Sequence, residues 1–168
     1  MIKQLILLRH AHRDTTVRTM DNGLSAKGER QAKWLKRFAS QRFTLLEWQE
    51  LKGVILTSPK LRCVETVAPL SQVFHSKIEL RPDLEEQRSG ESFAIFNERI
   101  QRFMSWWVKD GPPLTVACSH GDWLPLAIFH LTGAAIEMKK GAWLELEWET
   151  GRAQMRWYVP SFKAFYGA

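Results

Sequence analysis

Cysteine is almost missing from this chain: two residues in 168, Cys63 and Cys118, lie far apart and without metal-ligand spacing. That excludes a disulfide framework and a thiolate metal cluster, and leaves two packed thiols of the kind expected in a reducing cytoplasm. Long apolar runs are missing as well. The one near the start, Ile2 to Leu8, is short and interrupted by Lys3, so neither a membrane span nor a secretory leader is expected. No internal repeat, linker or low-complexity tract divides the sequence. One domain over 1–168 is therefore expected, long enough to bury roughly 70% of its unfolded surface without staples. Acidic residues are the minority charge, with 18 Asp and Glu against 24 Lys and Arg, a net of +6. The excess favours an anionic partner, whether phosphorylated metabolite, phosphoprotein, nucleic acid or membrane surface, without choosing among them.

What is present alternates between strand and helix. Leu5 to Leu8 reads as a buried central strand. Ser25 caps a helix from about Ala26 to Ser40, with Leu35, Phe38 and Ala39 spaced to face a core and Arg30, Lys33 and Arg37 outside. That charge stripe lacks the interleaved aromatics of a nucleic-acid reader and is read as a solvated face. Gly53 to Thr57 is a second buried strand, and Ser58-Pro59 after it signals a helix start running to about Phe74, bent at Pro69. Ile78 to Leu80 is a short third strand before an acidic loop, Asp83 to Glu86. Between Glu91 and Lys109 the residues Phe93, Phe96, Ile100, Phe103 and Trp107 recur at helical steps and predict a core-facing stripe. Leu114 to Cys118 is another buried strand, and Trp123 to Leu131 a helix apolar on most faces. Trp143 to Trp148 and Ala153 to Tyr158 alternate around Glu149-Thr150-Gly151-Arg152, a β-hairpin pattern. The fold class is α/β.

The chemistry is expected where these strands end. LILLRHAHR, Leu5 to Arg13, runs four apolar residues into Arg9, His10, His12 and Arg13, and open α/β sheets bind ligands at that edge. Arg62, one turn into its helix, reaches back over the second strand, and the Leu114 strand delivers Ser119-His120-Gly121-Asp122. Arginine forks and imidazole N–H groups suit the oxygens of a phosphoryl group, one histidine attacking in line while the other binds. Cationic neighbours disfavour imidazolium, so His10 beside Arg9 and Arg62 is expected to stay neutral and nucleophilic. His120 is then the candidate proton donor to bound phosphate. His10 and His12 also form a His-X-His pair of a kind that ligates metal, but no acidic cluster accompanies it, and no metal is expected.

LLRHAHRD, GLSAKGERQA, TSPKLRCVETV, LEEQRSGES and SHGDWL, in this order, resemble the histidine phosphatase superfamily, also called phosphoglycerate mutase-like. The resemblance covers the chain to about Leu131. It implies a three-layer α/β/α sandwich with a mostly parallel central sheet, phosphorylation of His10 during turnover, a phosphate pocket completed by Arg9, Arg62 and His120, and no cofactor. The family's first motif usually has Gly and often Glu after the nucleophile, whereas Ala11 and His12 stand here. Arg13 nearby is a candidate phosphate ligand, and His12 is unassigned. In one branch a general-acid Glu follows a Leu by two residues and precedes a Gly by four, a spacing kept by Leu84, Glu86 and Gly90. In another an Asp directly follows the second histidine, but Gly121 intervenes before Asp122. Glu86 is therefore the first choice for the acid.

The expected function is a phosphatase of the compact bacterial phosphohistidine phosphatase kind, acting on a small phosphomonoester or a protein phosphohistidine in the cytoplasm, without nucleic-acid or membrane partners. A phosphoglycerate mutase and a non-catalytic phospholigand-binding module on the same fold are the alternatives.

Overall fold

The computed structural model describes residues 2–17 and 19–167. Six strands form one sheet: β1 (Lys3–Arg9), β2 (Val54–Thr57), β3 (Ile78–Leu80), β4 (Leu114–Ser119), β5 (Trp143–Glu149) and β6 (Arg152–Val159). Their order is β3-β2-β4-β1-β5-β6. The first four are parallel, while β5 and β6 run antiparallel as the C-terminal hairpin. Helices α1 (Ala26–Arg42), α2 (Leu45–Glu50), α3 (Leu61–Phe74), α4 (Phe93–Asp110), α5 (Trp123–Thr132) and α6 (Lys163–Tyr166) cover it, with a 3-10 turn at Pro82–Leu84.

The apolar run in β1 explains the layering. Successive strand side chains point to opposite faces, and Leu5 and Leu7 join a core with Phe96, Ile100, Phe103, Trp107 and Trp123 from α4 and α5. Ile6 and Leu8 join the other core, with Leu35, Ala39, Val67 and Leu70 from α1 and α3. A strand buried on both faces needs apolar residues at every position, which is what LILL supplies. The result is a three-layer α/β/α sandwich. Among the described residues no helix is long and apolar enough to cross a membrane.

Four details depart from the sequence reading. Helix α3 begins at Leu61, not at Ser58-Pro59. Its first amide is capped from a distance by Asp21, whose Oδ2 accepts from Leu61 N at 3.0 Å, because the Ser58 hydroxyl is engaged elsewhere. Phe93, assigned to the core stripe of α4, is 61% exposed; it is the first residue after the Ser92 cap, ahead of the turn that touches the sheet. Phe129 on α5 is likewise 52% exposed, although the other residues of that helix are buried or half-buried, as its apolar faces predict. Helix α2 was not anticipated, although Thr44-Leu45-Leu46-Glu47 is a capping box whose hydroxyl and carboxylate each meet the other's backbone amide.

Register brings the strand ends together. Arg9 pairs with Ser119 across β1 and β4, and Thr57 with Cys118 across β2 and β4. The residues that follow, His10, Ser58 and His120, therefore leave the sheet side by side, about one strand spacing (~4.8 Å) apart. The segment after His10 is held by the first turn of α1. Ser25 caps that helix by accepting from Gly28 N at 3.2 Å, and donates its hydroxyl to the His12 carbonyl at 3.1 Å.

Gly28 is packed so closely on that segment that a Cβ would overlap the His12 carbonyl oxygen. Alanine gains roughly 0.5–1 kcal/mol over glycine inside a helix, yet forcing an atom into packed backbone costs about 1–3 kcal/mol. The clash wins, because a backbone carbonyl cannot swing aside as a side chain can. Gly28→Ala is expected to lower the unfolding free energy by about 1–2 kcal/mol in a urea titration. A stabilised variant would mean that helix and loop separate without cost.

Candidate active site

Four elements deliver the cluster: the end of β1 gives Arg9 and His10, the first turn of α3 gives Arg62, the end of β4 gives His120, and the 3-10 turn leads into Glu86. The His10 and His120 rings lie 5.3 Å apart, centroid to centroid. His10 is 6% exposed and His120 is 1% exposed.

The tautomer of each ring follows from its partners. His10 Nδ1 lies 2.8 Å from the Ala11 carbonyl, and a carbonyl only accepts, so Nδ1 carries the proton and Nε2 keeps its lone pair. Ala11 is itself fixed, its amide donating to Thr66 Oγ1 at 2.9 Å. His120 is the reverse case. Arg62 Nη2 lies 3.2 Å from His120 Nδ1, and a guanidinium only donates, so Nδ1 accepts. Nε2–H then donates to Ser58 Oγ at 2.8 Å, which is what occupies the Ser58 hydroxyl.

Both imidazoles are pushed down to about 3. For His10 the first cause is burial, followed by His120, Arg62 and Arg9, against the opposing Ala11 carbonyl; for His120 burial is followed by Arg62, Lys60 and Arg9. The sequence argument from cationic neighbours has the right sign, but desolvation is the larger effect.

Arg62 is 3% exposed. It holds Glu86 Oε1 at 2.6 Å and Asp21 Oδ1 at 3.4 Å, and its Nε has no partner among the described residues. Arg9 donates to the Met138 carbonyl at 2.7 Å and its Nε is also unpaired. Its guanidinium lies against Gly121, where a Cβ would come within 2.6 Å of the guanidinium carbon. The glycine separating His120 from Asp122 thus makes room for Arg9.

Glu86 sits on a loop clamped from beneath. Arg99 of α4 donates to the carbonyls of Asp83 (3.1 Å), Glu85 (2.9 Å) and Glu86 (3.2 Å) while pairing with Glu91 at 2.7 Å. Ser119 Oγ donates to Leu84 O at 2.6 Å, and Trp123 Nε1 donates to Asp83 O at 2.8 Å. Glu86 Oε2 lies 3.6 Å from His120 Nδ1, which brings the carboxylate into the cluster. Asp122, the rival acid, has another engagement: its Oδ2 accepts from Gln87 N at 2.8 Å.

Arg13 is half-buried at the edge of the cluster, its backbone bridged to Leu24 and its charge acting on Lys140. His12 turns away from His10, its Nδ1 2.9 Å from Ser25 Oγ. Among the described residues no group of three or more His, Cys, Asp or Glu side chains is arranged to hold a metal ion. Sequence reading missed Asp21, Ser58, Thr66 and Arg99. Asp21 had been assigned to a turn and Ser58 to a helix cap; an arginine inside an otherwise apolar-faced helix, as Arg99 is, was the available signal for a buried clamp.

A phosphate dianion matches what this arrangement offers: two imidazoles, one buried and one half-buried guanidinium, and a nearby carboxyl group. The histidine phosphatase superfamily (branch 1) model matches residues 5–91. The chain belongs to that superfamily. Its structure is similar to a putative alpha-ribazole-5'-P phosphatase from Escherichia coli K-12, with a TM-score of 0.74 at 17% identity over 95% of this chain and 97% of that one. A mycobacterial glucosyl-3-phosphoglycerate phosphatase with VO3 gives a TM-score of 0.74 at 17% identity over 95% and 100%. The protein histidine phosphatase SixA with tungstate gives 0.68 at 16% identity over 93% and 96%. No protein of curated function matches the sequence.

Neutral buried histidines make stability depend on pH. Their folded pKa lies below the unfolded value near 6.5, so unfolding takes up protons, and stability present above 6.5 is lost as pH falls toward 3. From pH 7 to pH 5 each histidine is expected to remove on the order of 2 kcal/mol. Urea titrations of wild type and His10→Gln at both pH values check this: the variant should lose less between them, and parallel losses would show that His10 titrates normally in the folded chain.

Proposed function

We propose that the chain is a single-domain cytoplasmic phosphatase that hydrolyses a phosphomonoester, or a protein phosphohistidine, through phosphorylated His10 and without a metal. The observation carrying this is the Nδ1–H of His10 committed to the Ala11 carbonyl, which leaves Nε2 as a neutral nucleophile beside Arg62, Arg9 and His120. Nε2 attacks phosphorus in line and the ester P–O bond breaks. Arg62 and Arg9 offset the charge on the equatorial oxygens, the task Mg²⁺ performs in many such sites. Glu86 gives its proton to the leaving oxygen. Water then attacks the phosphohistidine, the P–N bond breaks, and the water's proton returns to Glu86.

The Glu86 carboxylate pairs with Arg62 at the position where a phosphate oxygen would bind. A dianion arriving there takes the guanidinium from the carboxylate and leaves Glu86 beside the leaving oxygen. A dianion beside His120 favours its imidazolium, so that Nδ1 takes up a proton from water and donates it in a hydrogen bond to the phosphate while Nε2–H stays on Ser58. The named activities of the similar structures are phosphatases, which supports hydrolysis over transfer. The two unpaired buried thiols support a reducing location.

Rapid quenching with a labelled substrate is expected to trap acid-labile, base-stable phosphate on the wild-type chain and none on His10→Ala. That variant should lose p-nitrophenyl phosphate turnover by on the order of a thousandfold or more. Exhaustive chelation should change neither result; activity lost to chelator and restored by a divalent ion would replace the metal-free reading.

Leaving groups separate the two candidate acids. An alkoxide must be protonated as it departs, whereas nitrophenolate leaves unaided, so losing the acid hurts alkyl substrates selectively. Glu86→Gln is expected to slow an alkyl phosphate by roughly a hundredfold while p-nitrophenyl phosphate changes much less. If Asp122→Asn shows that selectivity instead, the acid is Asp122.

A further inference from the structure

A second cavity of about 530 Å³ opens beside the site, sharing Arg9 and His12 with the segment that carries His10. That volume is in the range of small-molecule pockets. Six cations line it: Arg9, Lys27, Arg30, Lys139, Lys140 and Lys163. No carboxylate is among the lining residues, and none of the six forms an ion pair among the described residues. No described carboxylate is paired with these cations where they stand, although Asp122 and Glu137 act on Arg9 from a distance.

The groove is built, since each wall is fixed independently. Gln31 accepts from His12 N at 2.8 Å and donates to Lys140 O at 3.0 Å, tying the β1 exit, α1 and the Lys139–Ala142 turn together. That turn closes through Ala142 N to Lys139 O at 2.9 Å. Gly141 takes the positive φ of +74° that the third turn position requires, and its amide donates to Arg9 O at 3.1 Å. The wall carrying Lys163 is anchored by Phe162, buried against Phe38 with ring centroids 5.0 Å apart. Lys140 links groove and site: burial first, then the charges of Arg9, Arg13, Lys27 and Arg62, push its ammonium below the usual lysine range. The other large cavity, about 560 Å³ between α1 and α3, is lined by Asp14, Asp21, Glu29 and Glu65 with one lysine, Lys33, and suits no anion.

We propose that this groove binds a second anionic group of the substrate, so that the substrate is a small phosphomonoester bearing another phosphate or a carboxylate. The scissile phosphate sits at His10 while the second anion meets Lys27, Lys140 and Lys163. Trp34 and Pro160 flank the carbon skeleton between them. The inference rests on the phosphatase reading above and narrows it to substrates with two separate anionic groups. A fixed cluster of unpaired cations gains most from a ligand that brings the missing charges already joined, because one loss of translational freedom then serves both contacts.

The test compares fructose 1,6-bisphosphate with fructose 6-phosphate. Wild type should favour the bisphosphate in kcat/KM by at least tenfold, about 1.4 kcal/mol, beyond the factor of two given by two cleavable groups. Lys27→Ala/Lys163→Ala should remove most of that preference. Lys77→Ala/Lys109→Ala, which deletes the same charge before β3 and in the last turn of α4, should keep it. Equal loss in both double variants would reduce the effect to net charge and overturn the subsite, as would the absence of any preference in a wild type that cleaves p-nitrophenyl phosphate. If wild type cleaves no phosphomonoester, the phosphomonoester reading of the site fails, and calorimetric binding of the same two sugars decides the groove by the same ratio. A ratio unmoved by Lys27→Ala/Lys163→Ala would then overturn it.

Discussion

The buried guanidinium of Arg62 is the constraint around which this end of the molecule is organised. A charge 3% exposed costs several kcal/mol to desolvate unless it is paired and hydrogen-bonded. Its pairing here is incomplete by design of the site: two carboxylates that are themselves partly exposed, one imidazole lone pair, and an Nε with no partner. The rest of the fold meets that cost. A sheet core apolar on both faces holds β2 and β4, Thr66 Oγ1 donates to the Arg62 carbonyl at 2.6 Å, and Asp21 both caps α3 and faces the guanidinium. An incompletely satisfied cation is what gives an arriving phosphate something to gain.

The same constraint orders the neighbours. Burial first, and then the charge of Arg62, keeps the second histidine neutral, and because Arg62 donates to His120 Nδ1 the ring proton sits on Nε2 and points at Ser58. Because Glu86 leans on Arg62, the candidate acid is held 2.6 Å from the guanidinium, at the mouth of the cluster. Arg99, which lies beneath the loop, decides where Glu86 stands by gathering four carbonyls, those of Pro82, Asp83, Glu85 and Glu86. Catalytic geometry of this kind depends on such support, since small displacements of a proton donor cost large factors in rate.

Much of this was legible in the chain. LILL ending in Arg-His announced a buried strand with chemistry at its exit, and the family motifs placed His10, Arg62, Glu86 and His120 in one cluster, as the register of β1, β2 and β4 does. What was hidden depends on pairings between distant residues. Nothing local distinguishes Ser58 the helix cap from Ser58 the partner of His120, because both uses want a hydroxyl before Pro59. Asp21 reads as a turn residue, since its contact with Leu61 spans forty positions. Phe93 follows the helical period and still faces solvent, because periodicity gives a direction but not where the neighbouring layer ends.

The stripe on α1 shows how placement changes the meaning of charge. Read as one solvated face, Arg30, Lys33 and Arg37 are spent in three ways: Arg30 lines the cationic groove, Lys33 the acidic cavity, and Arg37 lies 4.5 Å over the Tyr166 ring. The helix therefore divides two fields of opposite sign. Screening at physiological salt limits each field to about 8 Å, so the net +6 of the chain matters less than the fact that its unpaired cations converge beside His10. An anion approaching α1 is repelled on the Glu29 and Glu65 side and drawn in on the Lys27 side. That asymmetry gives the site one charged approach, and it lies along the groove rather than across the acidic cavity.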